Sequence, residues 1–584
     1  MMALTLRWVA FAASGLAALL AAWLFVLLAR ADGWTSLDSI RLVLSSLCMF
    51  WLAWGTMSGV LGLLPLRPDG AGGPGPRRMQ AGRRTALLMP IYHEDPPSTF
   101  ARVAAMSARL TATGAHQHID IFILSDSQSL EAAAREALWF ETLLTECAAR
   151  EQIFYRRRDR NSGRKAGNVE DFIRRSGGAY DYALVLDADS LMEADAIAGM
   201  IARMDATPDL GLLQSLPLIV NAHSIFGRVL QFSANLYTPV FARGTALLQG
   251  RDGPYWGHNA IFRVEAFAQS CGLPELSGKP PFGGQILSHD YVEAALLSRA
   301  GYEVRLDPGI GGSFEEGPDN LIDFAKRDQR WCQGNLQHMR VLLAPNLHAW
   351  NRITLLQGIF NYLMPPVWLV LLIVSIAAAD MARIGRNSVP PGWVGWGLIG
   401  SVTALLVLPK LLIALSHIAA GRTAGLKGGA LLLLSVLAEL VVSTLTAPIV
   451  LMFQVRAVLR VLSGFDGGWP ASNRTGSVLT LRQAWASAWW ISCCGGVALA
   501  VVIWASPTLV IWSLPVALPM ILAPLLISVT SLPAGVLKVL WQAPHETAPA
   551  PVLLEWQAVQ ARWTGAADSM GPHLPEREAA NVLG

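Results

Sequence analysis

Charge is what this chain has least of. Only 15% of its 584 residues are Asp, Glu, Lys or Arg, against about a quarter in soluble globular domains. With 53% hydrophobic residues, 21 Trp and a mean hydropathy of +0.40, the deficit argues against an ordinary soluble protein and names the lipid bilayer as a partner. The formal net charge of +3 is too small an excess to track a phosphate backbone, so no nucleic-acid partner is implied. Cysteine is scarce too: Cys48, Cys147, Cys271, Cys332, Cys493 and Cys494 form no CxxC and no His/Cys ligand spacing. No disulfide framework is implied, and the adjacent Cys493 and Cys494 read as buried free thiols in an apolar run.

What is present first is long apolar runs. Leu4–Arg30 and Ile40–Pro65 each exceed the ~20 residues that cross a bilayer. "LLARADG" loosely resembles a signal-peptide cleavage site, but the run's length and the second run close behind favour an uncleaved hairpin over 1–65. Further spans read at Leu355–Ala379, Val394–Ala419, Ile491–Leu514 and Ala517–Leu532, within a bundle over 352–540. The segment 428–456 is too long for one straight crossing, too short for two, and interrupted by Pro448. Arg422 and Lys427 precede it; Arg456, Arg460, Arg474 and Arg482 follow it. If both flanks are cytoplasmic, it is re-entrant, a tight hairpin, or partly interfacial. That makes six firm crossings and one ambiguous region, with a cytoplasmic loop at about 457–488 and a polar tail over 541–584.

Between the second and third spans lies a polar insert. It opens on the Gly/Pro/Arg linker 66–84 and continues as a domain over 85–351. Its Arg content beside two hairpins places it on the cytoplasmic side. "TALLMPIY", "IDIFILSD", "QIFYRRR" and "YALVLDADS" read as strands alternating with helices, hence a sheet with helices on its faces. Ligands of such sheets bind beyond the carboxyl ends of the strands, where Glu94, Asp126, Asp187 and Asp189 all fall.

Asp187 and Asp189 of "LDADS" flank one residue at a strand end, a spacing at which two carboxylates share one hard divalent cation (Mg2+ or Mn2+). A pair capping the next helix is the alternative. Asp126 ends its strand in reach of a base or ribose. "RRRDRNSGRKAGNVE" packs six cations around a turn; a solvated basic face is the usual reading, but Lys165 between a strand and a helix suits a phosphate. In "SHDYVEA", Asp290 sits at a helix start, where a carboxylate stays ionised; helix capping is its alternative. Adjacent Ser288, His289 and Asp290 cannot line up as a relay triad. His289 lacks the partners of a metal ligand, and Glu293 reads as a helix-surface residue.

These motifs, in this order, resemble the inverting family-2 glycosyltransferases of the cellulose-synthase type: "PIYHE", "LSD", "GRKAGN", "DADS", "SHD" and "RDQRW". "GHNAIFR", "LSHDYVEAALLSRAGYEV", "GSFEEGPDNLIDFAKRDQRWCQGNLQH" and "LAELVVSTLTAPIVLMF" resemble, more narrowly, the osmoregulated periplasmic glucan (membrane-derived oligosaccharide) glucosyltransferase H family. The resemblance runs from about Leu87 to about Leu532. It implies a GT-A type, Rossmann-like mixed α/β sheet inserted in a polytopic α-helical membrane domain, at the inner membrane of a Gram-negative bacterium. It implies transfer of glucose from UDP-glucose into a growing, β-1,2-linked glucan extruded to the periplasm. The partners it implies are a periplasmic glucan-processing protein (family G) and acyl carrier protein.

Carried onto this chain, the resemblance makes Asp290 the general base. Asp187 and Asp189 hold the metal, and Glu94, Asp126, Lys165, Asp187, Arg327, Arg330 and Trp331 bind donor. The processive-synthase signature has Gln where this chain has Arg327, which weakens a cellulose reading and suits the narrower family. Trp256, His258 and Asn259 of "YWGHNA" are the acceptor candidates, with Glu315 and Glu316 read as solvated. Another polysaccharide synthase (cellulose, chitin or hyaluronan type) is one alternative. A transporter with a regulatory domain is the other, disfavoured because the firm spans carry little charge beyond Lys410.

Overall fold

"TALLMPI", "IDIFILS" and "YALV" are almost wholly buried, which a strand needs when helices cover both faces of its sheet. In a computed structural model, residues 1–66, 82–381, 392–422, 428–466, 478–505 and 507–570 are described. Linker residues 67–81, Lys427 and Arg474 lie outside them.

Ten strands form two sheets: β1 (Thr85–Ile91), β2 (Ile119–Ser125), β3 (Ile153–Arg157), β4 (Tyr182–Val185), β5 (Leu191–Met192), β6 (Leu210–Ser215), β7 (Leu218–Val220), β8 (Ala260–Arg263), β9 (Glu303–Asp307) and β10 (Ser313–Glu316). The large sheet runs β3-β2-β1-β4-β8-β6-β9, the small one β5-β10-β7. Only β8 opposes its neighbours in the large sheet; the others are parallel, so the sheet is mixed α/β as expected. Ile91, Ser125 and Arg157 end β1, β2 and β3 in register. Tyr92–Glu94, Asp126 and Arg158 therefore leave one edge side by side.

The membrane part needs correction at three places. The segment 428–456 is neither a hairpin nor re-entrant: Gly429–Leu462 is one 34-residue helix, continuous through Pro448, about 50 Å long at 1.5 Å per residue. Leu432 and Val436 pack with Val229, Phe232 and Leu236. Ile449 and Met452 pack with Phe226 and Leu321, and Ala457, Val458 and Val461 with Cys332 and Leu336. The helix is long and apolar enough to cross, and it also packs against helices Ile225–Leu236 and Leu321–Gln337 of the α/β domain.

The last spans also shift. Leu481–Ala505 is one helix, and Val510–Ile521 with Ala523–Thr530 is a pair bent by 63°. Residues 457–462 and 481–488 of the expected loop are therefore helical. The Leu479 N–H donates to Ser531 (2.9 Å) and the Ser528 hydroxyl to the Leu479 carbonyl (2.9 Å). Chain entry and exit thus meet at one level, as in a crossing hairpin. Cys493 and Cys494 point outward from it and are exposed, because this helix turns that side away from the bundle. Lys410 is paired with Glu439 (2.7 and 3.0 Å), whose carboxylate also accepts from Ser443 and Tyr237. The main charge behind a transport path is accounted for by structure.

The third correction is the polar tail. Pro551–Met570 is a helix, and its Val552, Leu553, Trp556, Val559 and Trp563 belong to the same core as Leu87, Ile121 and Leu184. Their spacing of three to four residues is an apolar helical stripe, hidden in the sequence among Glu, Gln and Arg.

Candidate active site

The basic turn folds because glycine permits it. Gly163 has φ +71°, and a Cβ on Gly167 would stand 2.1 Å from the Ser162 carbonyl oxygen. The following helix Arg164–Ser176 aims Lys165 at the sheet edge. Its ammonium donates to Asp187 Oδ1 and to the Gly257 carbonyl (2.6 Å). Asp126 accepts a two-pronged ion pair from Arg158 (2.7 and 2.8 Å), which also donates to the carbonyls of Ser162 and Arg164. Burial raises the Asp126 carboxyl above its usual range, and Arg158 opposes that shift. Glu94 closes its own turn, accepting from the Tyr92 N–H. Asp189 is buried in the turn between β4 and β5.

Gly257 joins this charged side to the helix His289–Arg299: a Cβ placed on it would lie 3.6 Å from Asp290 Oδ2. Asp290 is in the first turn of that helix. Enclosure raises its pKa, with His289 opposing and Glu293 adding to the rise. His289 Nδ1 is 3.0 Å from Glu293 Oε2. Burial alone would lower the imidazole, but Glu293 and Asp290 hold its pKa up. Glu293 is 3% exposed, so it is a buried partner of His289 and not a helix-surface residue: the helix turns that side inward.

Sequence reasoning missed what positions Asp290. His338 lies against the Ser288 carbonyl (Nε2, 2.9 Å); burial pushes its pKa down to about 4, so the neutral ring must donate there. Gln337 accepts from the Leu287 N–H (2.9 Å) and donates to the Gln285 carbonyl (3.0 Å). Gly334 packs so closely that a Cβ would stand 2.2 Å from Ser288 Oγ. These residues lay inside the quoted "QGNLQH"; the spacing to "SHD" gave no sign of contact.

On the remaining wall, His258 Nε2 is 3.6 Å from Glu315 Oε2. Enclosure raises the Glu315 carboxyl; His258 and Arg327 oppose that, and Asp189 and Asp187 reinforce it. Glu315 thus faces the site and is not solvated. Asn259, fully buried at φ +50°, donates to Ser313 Oγ (2.8 Å) and braces the wall from behind. Trp256 packs beside Leu216 and Leu306, its backbone N–H donating to Gln214 Oε1 (2.9 Å). Helix Leu321–Gln337 carries Arg327, Arg330 and Trp331. Arg327 lies 4.5 Å over the Trp331 ring, which is 42% exposed, and Glu316 pairs with Arg102 (2.8 Å).

The chain matches two family models: "Glycosyl transferase family 2" over 87–270 and "Glycosyl transferase family group 2" over 182–530. With the mixed sheet and the site at its edge, they define the class, a membrane-associated family-2 glycosyltransferase. Proteins named "Glucans biosynthesis glucosyltransferase H" from Cereibacter sphaeroides (51% identity, 95% of each chain) and Xylella fastidiosa (39%, 92% of this chain and 87% of that one) are similar along their lengths. The chain belongs to this glucans biosynthesis glucosyltransferase H family. A solved mannosyltransferase from Pyrobaculum calidifontis, in complex with GDP-Man and Mn2+, overlays at TM-score 0.44 and 14% identity, covering 73% of this chain and 99% of that one.

Proposed function

We propose that the protein transfers glucose from UDP-glucose to a growing glucan by inverting single displacement, with Asp290 as base. One observation carries this reading: Lys165 ties Asp187 to the Gly257 carbonyl, and Gly257 adjoins Asp290. A diphosphate-binding lysine, the "DAD" carboxylates and a separate carboxylate thus meet at one sheet edge. A base must reach the attacking hydroxyl from a side other than that of the leaving diphosphate. Asp290 comes from another segment than Asp187, as that geometry demands.

Asp187 and Asp189 suit a hard divalent cation, having oxygen donors only. Among the described residues no group of three ligands is preassembled, so diphosphate oxygens would complete the shell. When bound, the cation offsets charge developing on the leaving nucleoside diphosphate. Lys165 and Arg330 contribute fixed positive charge, Asp126 and Glu94 order the nucleotide side, and Trp331 offers a flat face to a sugar ring. Trp256, His258 and Glu315 line the acceptor slot.

The finer features belong to the same reading: β-1,2 linkage, processive extrusion to the periplasm, an inner-membrane location with a cytoplasmic catalytic unit, and cooperation with a family G protein and acyl carrier protein. Membranes incubated with labelled UDP-glucose or UDP-N-acetylglucosamine test it, followed by linkage analysis of the product. Incorporation from UDP-glucose into a β-1,2 product is expected. Incorporation only from UDP-N-acetylglucosamine would transfer the protein to another synthase class.

A further inference from the structure

The C-terminal segment reaches the active-site wall through one short strand. Side chains alternate along β10, and its four residues divide accordingly. Ser313 and Glu315 lie on one face, Ser313 against the buried Asn259 and Glu315 against His258 in the site. Phe314 and Glu316 face away. The Phe314 ring meets His545 edge-on at 6.4 Å between centroids. Glu316 is ion-paired with Arg102 (2.8 Å), and the Arg102 guanidinium lies 4.9 Å over the ring of Trp556.

The segment is anchored at both ends of this contact. Before it, Glu546 pairs with Arg228, which also donates to the Trp541 carbonyl (3.0 Å). After it, the Val552 N–H donates to Glu193 (2.9 Å), whose own N–H donates to the Gly312 carbonyl (2.7 Å) at the start of β10. Arg228 stands on helix Ile225–Leu236, which packs on the long apolar helix Gly429–Leu462.

We propose that residues 541–563 are a positioning strap. The strap holds β10 from behind, and through β10 sets the Glu315 carboxylate against His258 in the acceptor slot. Trp556, Arg102 and Glu316 are positioning residues; Glu315 is the group they place. This rests on the acceptor reading above. Among the described residues the strap makes no hydrogen bond or ion pair with Asp126, Arg158 or Lys165, so it governs acceptor use and not nucleotide binding.

The test uses the full-length protein in detergent, with labelled UDP-glucose, β-1,2-linked glucose oligosaccharides as acceptor, and titration with UDP. Trp556→Ala and Glu316→Gln should each raise the acceptor KM or lower kcat by about tenfold, since small misplacements of reacting groups cost rate steeply. UDP affinity should stay unchanged, and Trp556→Phe should restore transfer. Glu316→Gln removes no apolar contact, so its effect cannot come from a lost core. Unchanged transfer in Glu316→Gln, or UDP affinity falling together with transfer, would overturn the strap. If the unaltered protein transfers nothing from UDP-glucose, the reading of function fails instead.

Discussion

The two sides of the site are held by different forces. The donor side is a lattice of ion pairs: Arg158 on Asp126, and Lys165 on Asp187. The loop before the base is held by neutral groups in close packing: His338 and Gln337 on its backbone, and Gly334 pressed on Ser288. The donor side carries charges that match a charged ligand, and each is a short-range arrangement at a strand end. The base side needs one carboxylate in one place, so it is fixed by shape and tolerates little change.

That contrast can be broken by substitution, the largest effect first. Asp290→Asn should lower transfer by about 10²–10⁴-fold, the usual contribution of a positioned base, while UDP titration stays normal. A variant that keeps its rate would remove Asp290 from the chemistry. Gly334→Ala should cost about 10²-fold in kcat, through displacement of the Ser288–Asp290 loop by a fraction of an ångström. Its UDP affinity should be retained; a parallel loss would show that the two sides are not separable. Lys165→Gln should act in the opposite sense, weakening UDP binding by about tenfold as a charge-assisted hydrogen bond is lost.

The smallest effect is one of pH. The base must be ionised, and enclosure raises Asp290 above its usual range. The acid limb of kcat/KM should therefore lie above the ordinary aspartate value of about 4, with rate lost as pH falls through it. Its disappearance in Asp290→Asn variants with measurable residual rate would assign the limb to this group.

Much of the donor side could be read from the chain. "LDADS" and "GRKAGN" put charge where buried strands end, and a parallel sheet brings such ends to one edge. Helix Pro551–Met570 could not be read so: its stripe of Val552, Trp556, Val559 and Trp563 has the period of a buried face, but nothing local says which core it joins. Glu315 and Glu316 looked alike as neighbouring acids. Strand alternation sends one to the site and the other to Arg102, and that depends on β10 being a strand between β5 and β7.

The long helix Gly429–Leu462 shows the same boundary. Its composition fits a bilayer crossing and its basic flanks argue against one. Only the fold shows that the segment is one helix and that it meets Phe232, Leu321 and Leu336. Local order set by backbone and hydropathy was thus determined by the sequence: which runs are apolar, which strands end in charge, where glycine must turn. Tertiary structure alone decided what depends on residues distant in the chain meeting: which loop His338 grips, where the tail docks, and which of two adjacent glutamates faces the chemistry. Hydropathy and turn propensity act over a few residues, whereas packing acts across the whole fold.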